Sequence, residues 1–298
     1  MFSDNQASFI TAAGTPTDPS GRLDEDGYGA HLRHQLDHGI DGFLICGSMG
    51  QMACLTHETW LAAARVAVDQ VAGRARILVG IGDNSVERTF QRIDALAELP
   101  IDAVVATTPY YFPSGQADLI DYFTQIAERA SVPLYLYDLP HATKVKIEMD
   151  TMLELARHEN IAGAKCSHDP QYVRQLADAT DGGSFEVISA QLNLMDMFIT
   201  GGIVRQLDGL FCLCPQWLAE MKTAHQRGDR QQMTAVQKSV NQLAQRLRAM
   251  ALFPAFTVAM NLLGFAGRFH PSHMRPIADQ DMPRVRQIMV ELGLVQNG

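Results

Sequence analysis

The chain is poor in lysine: only five occur in 298 residues, at Lys144, Lys146, Lys165, Lys222 and Lys238. Basic residues as a whole are outnumbered, 24 Lys and Arg against 33 Asp and Glu, for a formal net charge of −9. A non-specific nucleic-acid binder needs a cationic field, so that class is excluded. No apolar run approaches the roughly 18 residues of a membrane span. The opening residues, MFSDNQASFI, lack the basic start and apolar middle of a secretory signal. The five cysteines, Cys46, Cys54, Cys166, Cys212 and Cys214, are odd in number and include no Cys-x-x-Cys. They support neither a closed disulfide framework nor a zinc ribbon. These absences predict a soluble, cytoplasmic protein with no nucleic-acid or membrane partner.

Apolar material is plentiful: 47% of residues are hydrophobic and 19% charged, enough for a sizeable core and too apolar for disorder. Eight short apolar runs read as strands: Ala7–Ala13, Gly42–Cys46, Ile77–Ile81, Ala103–Thr107, Leu134–Tyr137, Ile161–Lys165, Phe185–Ser189 and Leu207–Cys212. Between them lie stripes at helical spacing, such as Val86, Phe90, Ile93 and Ala97, or Leu119, Phe123, Ile126 and Ala130. Ser85, and Asp169 followed by Pro170, stand where helix caps are expected. Strands recurring at about one βα unit imply parallel pairing, and eight units fit an α/β (β/α)8 TIM barrel. The alternative, a doubly wound open sheet, would normally carry a glycine-rich turn after strand one, and Thr11–Pro16 holds no G-x-G-x-x-G. After Pro215 the pattern is purely helical, with Trp217–Arg227, Arg230–Met250, Pro254–Leu263 and Met282–Leu292. We expect a barrel over residues 1–225 carrying the active site and a C-terminal helical domain over 226–298.

A barrel of this kind places its chemistry at the C-terminal ends of the strands. Lys165 alone among the lysines closes an apolar strand, Ile161–Ala162–Gly163–Ala164. Burial disfavours an ammonium, and an amine held partly neutral can attack a ketone to form a Schiff base. Position alone fits equally a lysine snorkelling to the barrel mouth. Tyr137 closes the neighbouring strand, as a proton carrier or as an aromatic lid on the core. Ser48 lies in a glycine-bracketed turn, Gly47–Ser48–Met49–Gly50, which can aim backbone N–H groups at a carboxylate or can simply be tight. His31, His34 and His38 share a helix face that we expect to be solvated. Cys212 and Cys214 are expected in the core, and Gly201–Gly202 as a helix stop.

These residues give the chain a resemblance to the dihydrodipicolinate synthase / N-acetylneuraminate lyase superfamily. It runs from Thr15–Pro16 and Gly21–Arg22–Leu23–Asp24 through Gly47–Ser48–Met49–Gly50, Pro109–Tyr110–Tyr111 and Tyr137–Asp138–Leu139–Pro140 to Gly163–Ala164–Lys165. The resemblance implies a barrel with a small helical appendage, a homo-oligomer (dimer or tetramer), and chemistry without metal or cofactor. By the same resemblance Lys165 matches the Schiff-base lysine and Tyr137 the proton-shuttling tyrosine. Ser48 matches a relay hydroxyl, and Ser48 with Met49 supplies the carboxylate-binding backbone. Tyr111 matches a tyrosine that reaches a neighbouring subunit's site, and Ala190 lies at the substrate place after strand seven.

Several departures bear on the substrate. Ala142 stands where the synthases carry an arginine, Met49 replaces the second hydroxyl of their Thr-Thr pair, and Gln51 replaces the usual glutamate. The stretch Ser189–Ala190–Gln191–Leu192–Asn193 has no carboxylate where sialic acid lyases have an acidic pair. Ser167, two residues past the lysine, offers a hydroxyl of the kind kept by relatives that act on hydroxylated 2-oxo acids. His141 and His168 flank the entrance. We expect a pyruvate-type Schiff-base lyase, an aldolase or dehydratase, taking a hydroxylated 2-oxo acid. A divergent synthase condensing pyruvate with aspartate semialdehyde is the first alternative, and a non-catalytic 2-oxo acid sensor the second.

Overall fold

The computed structural model describes residues 6–167 and 169–296. Eight strands, β1 (Ser8–Ala12), β2 (Gly42–Ile45), β3 (Arg76–Gly80), β4 (Ala103–Thr107), β5 (Leu134–Asp138), β6 (Ile161–Cys166), β7 (Glu186–Ser189) and β8 (Arg205–Asp208), close in sequence order into one barrel. Every neighbouring pair is parallel. The helices are α1 (Glu25–Asp37), α2 (His57–Val71), α3 (Val86–Leu96), α4 (Gln116–Arg129), α5 (Pro140–Thr143), α6 (Met149–Leu155), α7 (Pro170–Ala179), α8 (Met195–Thr200), α9 (Pro215–Gln226), α10 (Arg230–Arg248), α11 (Leu252–Leu262) and α12 (Met282–Glu291). This is the expected (β/α)8 barrel, not the open sheet.

The strands are apolar along their length because barrel and helix ring cover both faces: β1, β2, β4 and β5 are buried throughout. Helix starts follow side-chain caps. Asp24 accepts from the Gly27 N–H at 3.0 Å, Ser85 from Arg88, and Asp169 from Gln171 with Pro170 at the first helical position.

Three expectations are corrected. Strand eight is Arg205–Asp208 rather than Leu207–Cys212, and Leu210–Leu213 winds into a 3-10 turn. The Asp208 carboxylate accepts the Leu210 N–H at 2.8 Å, an Asx turn that curls the chain out of the sheet. On α3 the buried residues are Thr89, Ile93 and Leu96, while Ala97 is the exposed cap, because the helix ends before it. The histidine face of α1 is not solvated: His31 is fully buried against Phe265 and Phe269, and the half-buried His34 also lies tilted against Phe265.

The first helix after Pro215, α9, completes the eighth βα unit and ends at Gln226. Helix α10 packs on α8, α9, α11 and α12. Its Val240, Leu243 and Leu247 join Phe256 of α11 and Val285 of α12 in the same continuous core as the strands. Helices α10–α12 are thereby fixed to the barrel rather than hung from a linker. Among the described residues no helix is long and apolar enough to cross a membrane.

Candidate active site

Strand β2 ends abruptly at Ile45, followed by Cys46, whose φ of 52° lies in the left-handed region. The chain then folds back through Gly47–Gly50. A Cβ on Gly50 would come within 2.9 Å of the Ala13 carbonyl oxygen, so only glycine lets this turn settle against the end of β1. Among the described residues the Ser48 and Met49 backbone N–H groups have no acceptor. Gln51 anchors the turn by donating from Nε2 to the Thr15 carbonyl at 2.9 Å.

Tyr137 and Lys165 are register partners on β5 and β6, so their side chains emerge side by side on the same face. Both are nearly withdrawn from solvent, at 4% and 5% exposure. The Lys165 Nζ lies 3.7 Å from the centroid of the Tyr137 ring. The Ser48 hydroxyl donates to the Tyr137 hydroxyl oxygen across 3.4 Å. Among the described residues Lys165 makes no ion pair with a carboxylate within 4 Å.

These groups line a cavity of about 210 Å³ at the C-terminal mouth of the barrel. Ser48, Met49, Tyr137, Lys165, Ser167 and Ala190, all read from the sequence, come together there, and exposed His141 borders it. The Ser167 hydroxyl is buried and, among the described residues, has no hydrogen-bond partner. Tyr111 is elsewhere: it is 77% exposed, packed edge-to-face on the equally exposed Phe112 at 5.0 Å. His168 lies outside the described residues. Ser48 and Leu139 also border an adjoining chamber of about 220 Å³, lined by Met52, Cys54, Tyr110 and Ala142.

Sequence reasoning missed the far wall. Asp208, Gly209 and Leu210 at the end of β8, Arg248 of α10, and Leu252 and Phe253 at the start of α11 complete the cavity. Burial holds the Asp208 carboxyl above its ordinary value, partly offset by the Leu210 N–H and the nearby positive charges of Lys165 and Arg248. A signal for Asp208 was present. It is a lone acid in the apolar run Leu207–Cys214, just as Lys165 is a lone base in its own. Arg248 had no such signal, since nothing local tells that its helix returns to the barrel mouth.

Larger hollows of about 620 and 510 Å³ lie at the opposite end, around Asp41, Arg76 and Asp102 and around Glu186 and Arg205. They flank the N-terminal ends of the strands, the stabilising face of such barrels. Among the described residues no group of three or more His, Cys, Asp or Glu side chains is placed to hold a metal.

Residues 5–292 match the dihydrodipicolinate synthetase family. A 4-hydroxy-tetrahydrodipicolinate synthase of Acidiphilium cryptum is 27% identical over 287 residues, covering 96% of this chain and 98% of its own. A protein of the same name from Methanothermobacter thermautotrophicus is 33% identical over 197 residues, covering 65% of this chain and 70% of its own. A prophage protein of the dihydrodipicolinic acid synthase family from E. coli K12, solved in complex with pyruvate, superposes with a TM-score of 0.90 at 24% identity, over 97% of this chain and 99% of that one. That superposition speaks for the fold alone. By the match over nearly its whole length, the chain belongs to the dihydrodipicolinate synthetase family, whose members are carbon–carbon lyases.

Proposed function

We propose that the chain is a Schiff-base lyase of the class I aldolase or dehydratase type, acting on a hydroxylated 2-oxo acid with Lys165 as the imine-forming amine. The observation that carries this is the setting of Lys165: almost fully buried, facing a small cavity, beside Tyr137 and, among the described residues, with no carboxylate within ion-pair distance. The neutral amine adds to the C2 carbonyl, water leaves, and the resulting iminium is an electron sink. When the C3–C4 bond breaks, its electron pair passes into the iminium as an enamine. Tyr137 has given its own proton to the water that left, so its oxygen, beside the Ser48 hydroxyl, accepts the C4 hydroxyl proton as a phenolate, and an aldehyde departs. Protonation at C3 and hydrolysis release pyruvate and restore the amine. The Ser48 and Met49 N–H groups receive the substrate carboxylate without a cationic side chain. Ser167 is the donor or acceptor for the C4 oxygen, and Ala190 leaves room beside it. Tyr111 enters the site of a second copy, which makes the working protein a homo-oligomer. A cytoplasmic setting suits the unpaired thiols.

Borohydride reduction in the presence of pyruvate tests this directly. The expected product is a pyruvyl adduct on Lys165, read by peptide mass. An unmodified Lys165 at saturating pyruvate overturns the mechanism.

The names of the relatives favour a second reading, condensation of pyruvate with aspartate semialdehyde. Against it stands Ala142, in the adjoining chamber where the resemblance leads one to expect an arginine. Robust condensation of that pair by the purified protein would favour the synthase instead.

A further inference from the structure

The cavity wall formed by β8 and the C-terminal helices carries two charged side chains, Asp208 and Arg248. The last turn of α10 holds two arginines, Arg246 and Arg248. Arg246 is committed elsewhere, its guanidinium 2.6 Å from the Glu291 carboxylate. Among the described residues no carboxylate comes within ion-pair distance of Arg248. A cation at a helix C-terminus is stabilising in itself, and that accounts for either arginine. It does not account for one of them lining the Lys165 cavity.

A ligand extending from Lys165 toward this wall meets one acceptor and one planar fork of N–H donors. Asp208 already accepts the Leu210 N–H and repels any anion placed against β8. A hydroxyl suits it and a carboxylate does not. Arginine's fork matches a carboxylate in two parallel charge-assisted bonds. A cavity of about 210 Å³ is below the roughly 300 Å³ at which drug-sized ligands begin, so the occupant is a short-chain acid. We infer that Arg248 is a specificity-determining residue that grips a second carboxylate at the end of the 2-oxo acid remote from the ketone, leaving Asp208 to accept from a hydroxyl between the two acid groups. The contact comes from the C-terminal helices, whereas Ala142 belongs to the other chamber. This rests on Lys165 condensing with the ketone.

Borohydride-dependent labelling of Lys165 by pyruvate supplies the test. It is competed with 2-oxoglutarate or with 2-oxopentanoate, chains of equal length that differ in the far carboxylate. In the unaltered protein 2-oxoglutarate competes roughly tenfold or more better, as expected for a hydrogen bond between charged groups. Arg248→Gln brings the two competitors to parity, while Arg248→Lys keeps an intermediate preference. Arg246→Gln, which changes the paired arginine of the same turn, retains the full preference. Parity in the unaltered protein, or a preference that survives Arg248→Gln, overturns the inference. An equal loss in Arg246→Gln also overturns it, because it would mean a general loss of positive field. Absence of any pyruvyl label on the unaltered Lys165 is a different result: it removes the Schiff-base function and the inference with it.

Discussion

The two ends of the barrel are built from the same kinds of side chain and use them in opposite ways. At the N-terminal end Arg76, Tyr135, Glu186 and Arg205 form a closed set. Glu186 lies 3.1 Å from both guanidinium groups, and the Tyr135 hydroxyl donates to Glu186 at 2.9 Å while accepting from Arg76 at 2.7 Å. Burial pushes the Glu186 carboxyl up, but Arg76, Tyr135 and Arg205 outweigh it and hold the group below its ordinary value. At the C-terminal end Lys165, Tyr137 and Asp208 again make a base, a phenol and an acid, and among the described residues no ion pair or hydrogen bond joins one of the three to another. Tyr135 and Tyr137 stand two residues apart on one strand and face the same way. One is a structural bridge and the other sits against a buried amine. What separates a plug from a site is therefore completeness of pairing, since a buried charge with its partners fixed has no free valence for a substrate.

The sharpest way to break this contrast is to exchange the two ends' sensitivities. Lys165→Met should abolish turnover, on the order of 10⁴-fold or more in kcat, while the melting temperature holds or rises because a buried amine is removed. Glu186→Gln should do the reverse. It removes the carboxylate that bridges Arg76 and Arg205 and costs about 3 kcal/mol in denaturant unfolding, with pyruvyl labelling of Lys165 intact. A Lys165→Met protein that unfolds as easily as Glu186→Gln would show that the upper end, too, is a stabilising cluster.

Much of this was legible from residues alone. Apolar runs recurring at the βα period gave the barrel, because a strand covered on both faces cannot hide among polar residues. Lys165 and Tyr137 stood out because each closes such a run. Two things were not legible. The end of β8 depends on an Asx turn at Asp208, and an apolar run continuing to Cys212 conceals it. The helical part of the far wall, Arg248, Leu252 and Phe253, and the burial of His31 both depend on where the chain after residue 226 folds back. That is a tertiary fact, and no local period encodes it.

Tyr137→Phe and Tyr135→Phe sharpen the comparison at one strand. Without its hydroxyl Tyr137 cannot carry a proton, and kcat should fall roughly 10²-fold, within the range of positioned acid–base catalysis. Lys165 should still take the pyruvyl label under borohydride. Tyr135→Phe should leave kcat near that of the unaltered protein and cost about 1 kcal/mol of stability for its lost hydrogen bonds. Equal falls in kcat for the two variants would deny Tyr137 a chemical part.

The last test concerns a group that is buried yet outside the chemistry of either end. Among the described residues neither ring nitrogen of His31 has a hydrogen-bond partner, and burial, with a lesser contribution from neighbouring His34, brings its pKa down to about 3 from an ordinary 6.5. Between those two values the unfolded chain binds a proton that the folded chain refuses. Stability therefore rises with pH across that window and the contribution of His31 is complete above about 6.5. Lowering the pH from 7.5 to 5 should cost about 2 kcal/mol through this ring, at 1.36 kcal/mol per unit. His31→Phe, which keeps the aromatic contacts with Tyr28, Phe265 and Phe269, should flatten the unfolding free energy over that interval by the same amount. An unchanged slope would mean that His34 or His270, also held below the ordinary histidine value by burial, governs the acid sensitivity. His31 lies outside the cavity that Lys165 lines, so lack of a partner makes a buried base costly wherever it sits, and only access to a cavity gives it chemistry.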